Sequence, residues 1–129
     1  MTSLRFQSWV GFGSAVTVAA AGLPAAANPI LSREDFAFSL DQAALTVCEL
    51  RKSQAMDYKL ALNTSATPVF QLVKFRYGKR IEGVKRVPAD QGLIRYLGIK
   101  ISELSLKYCP KQLPASVSKE IAAIKNKLN

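Results

Sequence analysis

Cys48, in LTVCELRK, and Cys109, in LSLKYCP, are the only two cysteines of this 129-residue chain. Their chemistry is narrowed by what is missing around them. The chain has no histidine, so no imidazole base can activate a thiol or hydroxyl, and no imidazole can ligate a metal. Two cysteines alone do not complete a four-ligand zinc site. There is no C-x-x-C spacing of a redox centre. The remaining acid–base chemistry would need two carboxylates held together. Glu34 and Asp35 are neighbours, but their place at a helix start explains them. Asp41, Glu49, Asp57, Glu82, Asp90, Glu103 and Glu120 stand singly. No G-x-S-x-G elbow, S-x-x-K motif or glycine-rich phosphate loop is present. The residues therefore point away from an enzyme, and no metal or cofactor is expected.

One stretch carries a different kind of chemistry. Lys74, Arg76, Lys79, Arg80, Lys85 and Arg86 fall close together, with Glu82 as the only acid among them. Such a run is either a solvated loop or a site for an anionic partner: lipid headgroups, an acidic polysaccharide or an acidic protein. Phe75 and Tyr77 interleave with the charges, a pattern compatible with base stacking. Export of the chain argues against nucleic acid as that partner.

Export is read from residues 1–27, which have the layout of a secretory signal peptide. Arg5 supplies the basic n-region, an apolar run extends from Val10 to Leu23, Pro24 breaks it, and Ala25-Ala26-Ala27 offers small side chains for cleavage before Asn28. Loss of Arg5 with such a signal lowers the formal charge from +9 to +8. No later segment is long and apolar enough to span a bilayer. The chain is thus expected in the periplasm or another extracytoplasmic space. Disulfides persist there, and an even cysteine count predicts a Cys48–Cys109 bridge. It would close a loop of roughly 60 residues, for which the chain-entropy model gives about 4 kcal/mol.

The elements that position these residues are helical by period. Ser32 is placed as an N-cap with Asp35 as the reciprocal acid of a capping box, and Leu31 and Phe36 as a hydrophobic staple. Phe36, Leu40, Ala43, Val47 and Leu50 then recur at helical spacing. This predicts a helix from Arg33 to Lys52, with Cys48 at the edge of its apolar stripe. A shorter helix is expected from Ala55 to Leu62, then a loop over residues 63–66. A new start is expected at Thr67-Pro68, where Val69, Phe70, Val73 and Tyr77 share a face and Gly78 ends the helix. A hairpin turning at Gly78 and Lys79 competes over this last stretch, because Val73, Phe75 and Tyr77 also alternate with charges.

Ile94, Leu97, Ile101, Leu104 and Tyr108 predict a helix over residues 90–108. Gly92 and Gly98 each weaken it by about 1 kcal/mol relative to alanine, and each permits a close backbone approach. Pro110 stops it. Leu113, Val117, Ile121, Ile124 and Leu128 form the stripe of a C-terminal amphipathic helix. That helix is expected to dock over the two disulfide-linked helices.

With Val47-Cys48-Glu49-Leu50 early and Tyr108-Cys109-Pro110 late, the chain resembles a family of small exported two-cysteine helical proteins of unknown function common in mycobacteria. Members carry V-C-x-x-L on one helix and A-Y-C-P at the end. Here Lys107 replaces the alanine, the cysteines lie farther apart by about the length of the basic insert, and a whole helix follows the second cysteine. The resemblance implies an exported helical domain with the same bridge. The single-disulfide helical plan with a lysine-rich tail is also similar to the periplasmic acid-stress chaperones.

These readings predict a signal peptide over residues 1–27. A single all-α domain follows over 28–129, a bundle of four to five helices stapled by one disulfide. The expected role is non-catalytic binding of an envelope protein or anionic surface, with a periplasmic stress chaperone as the alternative.

Overall fold

A computed structural model describes residues 29–128. The expected signal peptide and its expected cleavage before Asn28 lie outside the described residues. The architecture is all-α: α1 (Arg33–Ser53), α2 (Tyr58–Gln71), α3 (Asp90–Tyr108) and α4 (Ala115–Leu128). A π-helical turn (Leu72–Arg76) extends α2, and a short 3-10 turn (Pro110–Gln112) follows α3.

α1 starts as its sequence dictates. Ser32 Oγ accepts from the Asp35 N–H at 3.1 Å, and the staple residues Leu31 and Phe36 are both buried. The stripe Phe36, Leu40, Ala43, Ala44 and Val47 faces the core. The helix ends in a left-handed residue, Ala55 (φ +48°), with the Met56 N–H returning to the Leu50 carbonyl. Ala55 is therefore in the connection, not in the next helix. α2 begins only after Asp57, whose carboxylate accepts from the N–H groups of Lys59 and Leu60.

The largest departure from expectation is inside α2. Residues 63–66 are not a loop, and Pro68 does not start a helix: α2 runs through both without a break. Ala61, Ser65, Ala66 and Val69 are buried on one continuous stripe, so tertiary contact keeps the polar run helical. The hydroxyls that favour turns elsewhere are satisfied within the helix. Ser65 Oγ donates to the Ala61 carbonyl at 2.8 Å, and Thr67 Oγ1 to the Asn63 carbonyl at 2.7 Å. Pro68 removes one backbone donor, and the acceptor it would have served belongs to Thr64, an exposed residue. Beyond Gln71 the helix widens, and the Tyr77 N–H reaches back five residues to the Leu72 carbonyl. Gly78 (φ +55°) and Lys79 (φ +63°) then end it. No hairpin forms there.

α3 carries a shifted stripe. Leu93, Leu97, Ile101, Ser102 and Ser105 are buried, whereas Ile94 and Tyr108, expected inside, are exposed. Ser105 is accommodated in the core because its hydroxyl donates to the Ile101 carbonyl at 2.8 Å. The close approach involving a glycine is at Gly92, where a Cβ would come within 2.8 Å of Pro88 Cβ. At Gly98 the same atom would make ordinary contact with Leu62 at 3.8 Å.

The helices run up, down and up. Tyr58 at the start of α2 meets Ser102 late in α3, and Cys48 of α1 meets Cys109 after α3. α1 and α3 are therefore parallel, and α2 returns antiparallel to both. The three enclose one core, with Ala44, Val47, Ala61, Val73, Leu93, Leu97 and Ile101 fully buried. Of the two disulfide-linked helices, α4 packs on α3 alone. It does so through Val117 and Ile121, with Leu113 before it, and an ion pair joins Lys125 to Glu103 at 3.1 Å. This bundle has two dissimilar ends: one holds the disulfide, the other the basic segment.

Candidate functional site

At the first end, Cys48 and Cys109 are bonded, with Cα atoms 5.9 Å apart. Arg51, one turn further along α1, adds a second tie. Its Nε donates to the Gln112 carbonyl at 2.7 Å and its Nη1 to the Met56 carbonyl at 2.9 Å. One guanidinium thus joins the end of α1, the entry to α2 and the turn after α3. Beside it, the Tyr108 hydroxyl donates to Asp41 at 2.6 Å, and that contact raises the phenol above its ordinary range. These groups are structural ties.

The basic residues gather at the other end. The segment leaves the π-turn, crosses the start of α1 and enters α3. Leu31 and Ile81 form an isolated parallel bridge: the Leu31 N–H donates to the Arg80 carbonyl and the Glu82 N–H to the Leu31 carbonyl, both at 2.8 Å. Leu31 and Ile81 are buried beneath it. Glu82, the one acid of the run, accepts from the Arg33 N–H at 2.9 Å. It caps α1 from 49 residues away and places a negative charge at the positive end of the helix dipole. Gly83 (φ +83°) turns the chain under Arg33, whose Nη2 lies 2.9 Å from where a Cβ would stand.

Asp90, at the start of α3, holds two of the six basic residues. Lys74 Nζ is 2.5 Å from its Oδ2 and Lys79 Nζ is 2.7 Å from its Oδ1. The two ammonium groups hold the Asp90 carboxyl below its usual range. Arg76, Arg80, Lys85 and Arg86 are exposed. The Arg76 guanidinium lies 5.8 Å from the centre of the Tyr77 ring, and the Lys74 ammonium lies 5.3 Å from that of Phe75. Ile30, Ser32, Lys79, Arg80 and Lys85 help to line a shallow concavity of ≈ 530 Å³.

The structure therefore brings the six basic residues to one end of the bundle and divides them. Lys74 and Lys79 are committed to an internal carboxylate, whereas Arg76, Lys85 and Arg86 face water. Sequence reasoning missed Arg33, which α1 adds to this surface, and the partners Glu82 and Asp90. The spacing of Lys74, Lys79 and Asp90 signals nothing by itself, because the pairing depends on where α3 begins relative to the π-turn.

A second concavity, of ≈ 610 Å³, opens between α2, α3 and α4. Tyr58, Leu62, Ile94, Ser102, Val117 and Ile124 are among its walls. The Tyr58 hydroxyl bonds to that of Ser102, and burial pushes its phenol above the ordinary value. Among the described residues, no three His, Cys, Asp or Glu side chains cluster to hold a metal ion, and no helix is long and apolar enough to cross a membrane.

No curated protein and no solved structure matches the chain. Residues 34–129 match the model of the family described as Domain of unknown function (DUF8650), a span that takes in all four helices and both ends of the bundle, and the chain belongs to that family.

Proposed function

We propose that the protein is an exported, non-catalytic binding module that engages an anionic partner of the cell envelope through residues 74–86. One observation carries this reading. Arg76 at the close of the π-turn, and Lys85 and Arg86 on the non-repetitive segment that follows it, stand in water, and the backbone between them is tied by the Leu31–Ile81 bridge and by the pairing of Lys74 and Lys79 with Asp90. Fixed cations on a rigid scaffold attract an anionic surface without first being ordered. The disulfide suits an oxidising compartment, and the signal-like pattern of residues 1–27 supplies the route to it.

The reading is tested by retention on immobilised heparin, used as a polyanion probe, across a salt gradient. The parent protein is expected to bind at low ionic strength and elute as screening grows. The double substitution Lys85→Glu/Arg86→Glu should elute markedly earlier. Equal elution of the two would sink the assignment.

A stress-chaperone role is the second reading. It is favoured by apolar side chains left exposed on α1 and α2, Phe38, Leu45 and Leu60, and by an apolar groove of ≈ 370 Å³ between these helices. Suppression of client aggregation that is indifferent to the Lys85/Arg86 substitutions would favour this role over the first.

A further inference from the structure

The same end of the molecule carries a feature that charge alone does not use. Phe75 is 69% exposed, the highest value among the large apolar side chains that face water in the described residues. It lies in the π-turn between Lys74 and Arg76. Val73, two residues before it, is fully buried and anchors the turn, so the ring is carried outward by a fixed backbone. Lys74 holds it there. That ammonium is pinned by Asp90 and lies 5.7 Å from the Phe70 ring and 5.3 Å from the Phe75 ring. Ile30, 54% exposed, helps to line the concavity that Lys79 and Lys85 also border. Two apolar side chains thus project from a rim of cations.

We infer that the anionic partner is the surface of an anionic lipid bilayer, engaged by Arg33, Arg76, Lys85 and Arg86 at its phosphates, with Phe75 inserted among the headgroups. The inference rests on the reading of residues 74–86 as an anionic-partner site. It goes further because the partners compatible with that reading differ in what they offer the ring. A hydrated acidic polymer neutralises the cations and leaves Phe75 in water. A bilayer interface accepts both, taking an apolar side chain at the boundary with the acyl chains while phosphates meet the arginines and lysines. Long basic side chains can remain at headgroup level as the ring goes deeper. A single ring and a few cations give a weak, reversible attachment that depends on both terms.

Two measurements on the purified exported protein decide the matter. The first is co-sedimentation with vesicles of phosphatidylcholine containing phosphatidylglycerol, with pure phosphatidylcholine vesicles for comparison; the second is retention on heparin. The parent should partition to the anionic vesicles and not to the neutral ones. Phe75→Ala should lower that partition about tenfold, the order expected for losing a partly buried aromatic ring, while leaving heparin retention unchanged. Phe75→Trp should keep the partition. Its emission should shift to the blue on adding anionic vesicles, with no other tryptophan contributing, because the chain's single tryptophan, Trp9, falls in residues 1–27, which cleavage before Asn28 removes.

Equal vesicle partition of the parent and Phe75→Ala, or an unshifted Phe75→Trp spectrum, would overturn the bilayer inference. If heparin retention still fell with Lys85→Glu/Arg86→Glu, the anionic site would stand, with an acidic polysaccharide or protein as its partner. Absence of parent binding to both heparin and anionic vesicles would overturn both.

Discussion

The two ends of the bundle solve the same problem with different chemistry. Each must hold α1 against α3 and govern a connection to α2. The disulfide end uses a covalent bond and a half-buried arginine that donates to two backbone carbonyls. Neither relies on a pair of opposite charges that salt would screen. The basic end uses a single backbone bridge, a carboxylate cap and a three-charge cluster open to water. Those are weak, screened interactions. The contrast teaches that the disulfide allows the other end to be built for charge. A surface crowded with cations repels itself, and a scaffold already closed by Cys48–Cys109 tolerates that cost.

Removing the covalent tie should break the comparison most severely. The bond joins residues 61 apart in sequence, and opening a loop of that size costs about 4 kcal/mol in the chain-entropy model. That is a large share of the net stability of a small domain. Reduction, or Cys48→Ala/Cys109→Ala, should lower the unfolding midpoint by well over ten degrees, on the order of 4–8 °C per kcal/mol. Thermal unfolding followed by circular dichroism, with and without reductant, measures it. Unchanged midpoints would mean that packing alone closes this end.

Arg51→Ala should have the next largest effect, about 2 kcal/mol, because two carbonyls lose a charged donor in a partly buried place. Denaturant unfolding gives the number. Hydrogen exchange should localise the loosening to the 3-10 turn and the entry to α2. Arg51→Lys should not rescue it fully, since an ammonium cannot hold the two carbonyls with the same planar fork.

Periodicity exposed the local part of this structure and left the long-range part hidden. The cap at Ser32, the stripe of α1 and the stop at Gly78 were legible because each is decided by residues within one or two turns. The bridge was legible for another reason: two cysteines admit one intramolecular pairing. α2 was misread because Asn63-Thr64-Ser65 and Pro68 are breakers by propensity, and only the neighbouring helices show why they stay helical. The stripe of α3 was read correctly at Leu97 and Ile101 and missed at its ends, in part because Ser105 counts as polar until its hydroxyl is seen on the Ile101 carbonyl. The candidate site was legible as a run of charge but not as a divided one. Its division depends on Asp90, whose partners Lys74 and Lys79 are set by where α3 begins relative to the π-turn. Exposure of Phe75 could not be told from the partial burial of Phe70 by composition.

The smallest effect sharpens the comparison by pH. Asp90 is held below the ordinary carboxylate range by Lys74 and Lys79. A folded-state value below the unfolded one means that its contribution is fully present above the unfolded value of about 4 and is lost as pH falls through the lower, folded one. Asp90→Asn deletes that contribution at every pH and leaves two ammonium groups side by side. The variant should therefore be less stable than the parent at neutral pH, and the gap should narrow as the solution is acidified below about pH 4. Both partners are open to water, so the gap should also shrink with added salt and stay well under the effects at Cys48 and Arg51. Paired urea titrations of parent and variant across pH measure it. A gap that persisted in acid would assign the loss to the start of α3 itself, where Asp90 sits in the first turn, and would remove the charge cluster as the tie that holds the basic end.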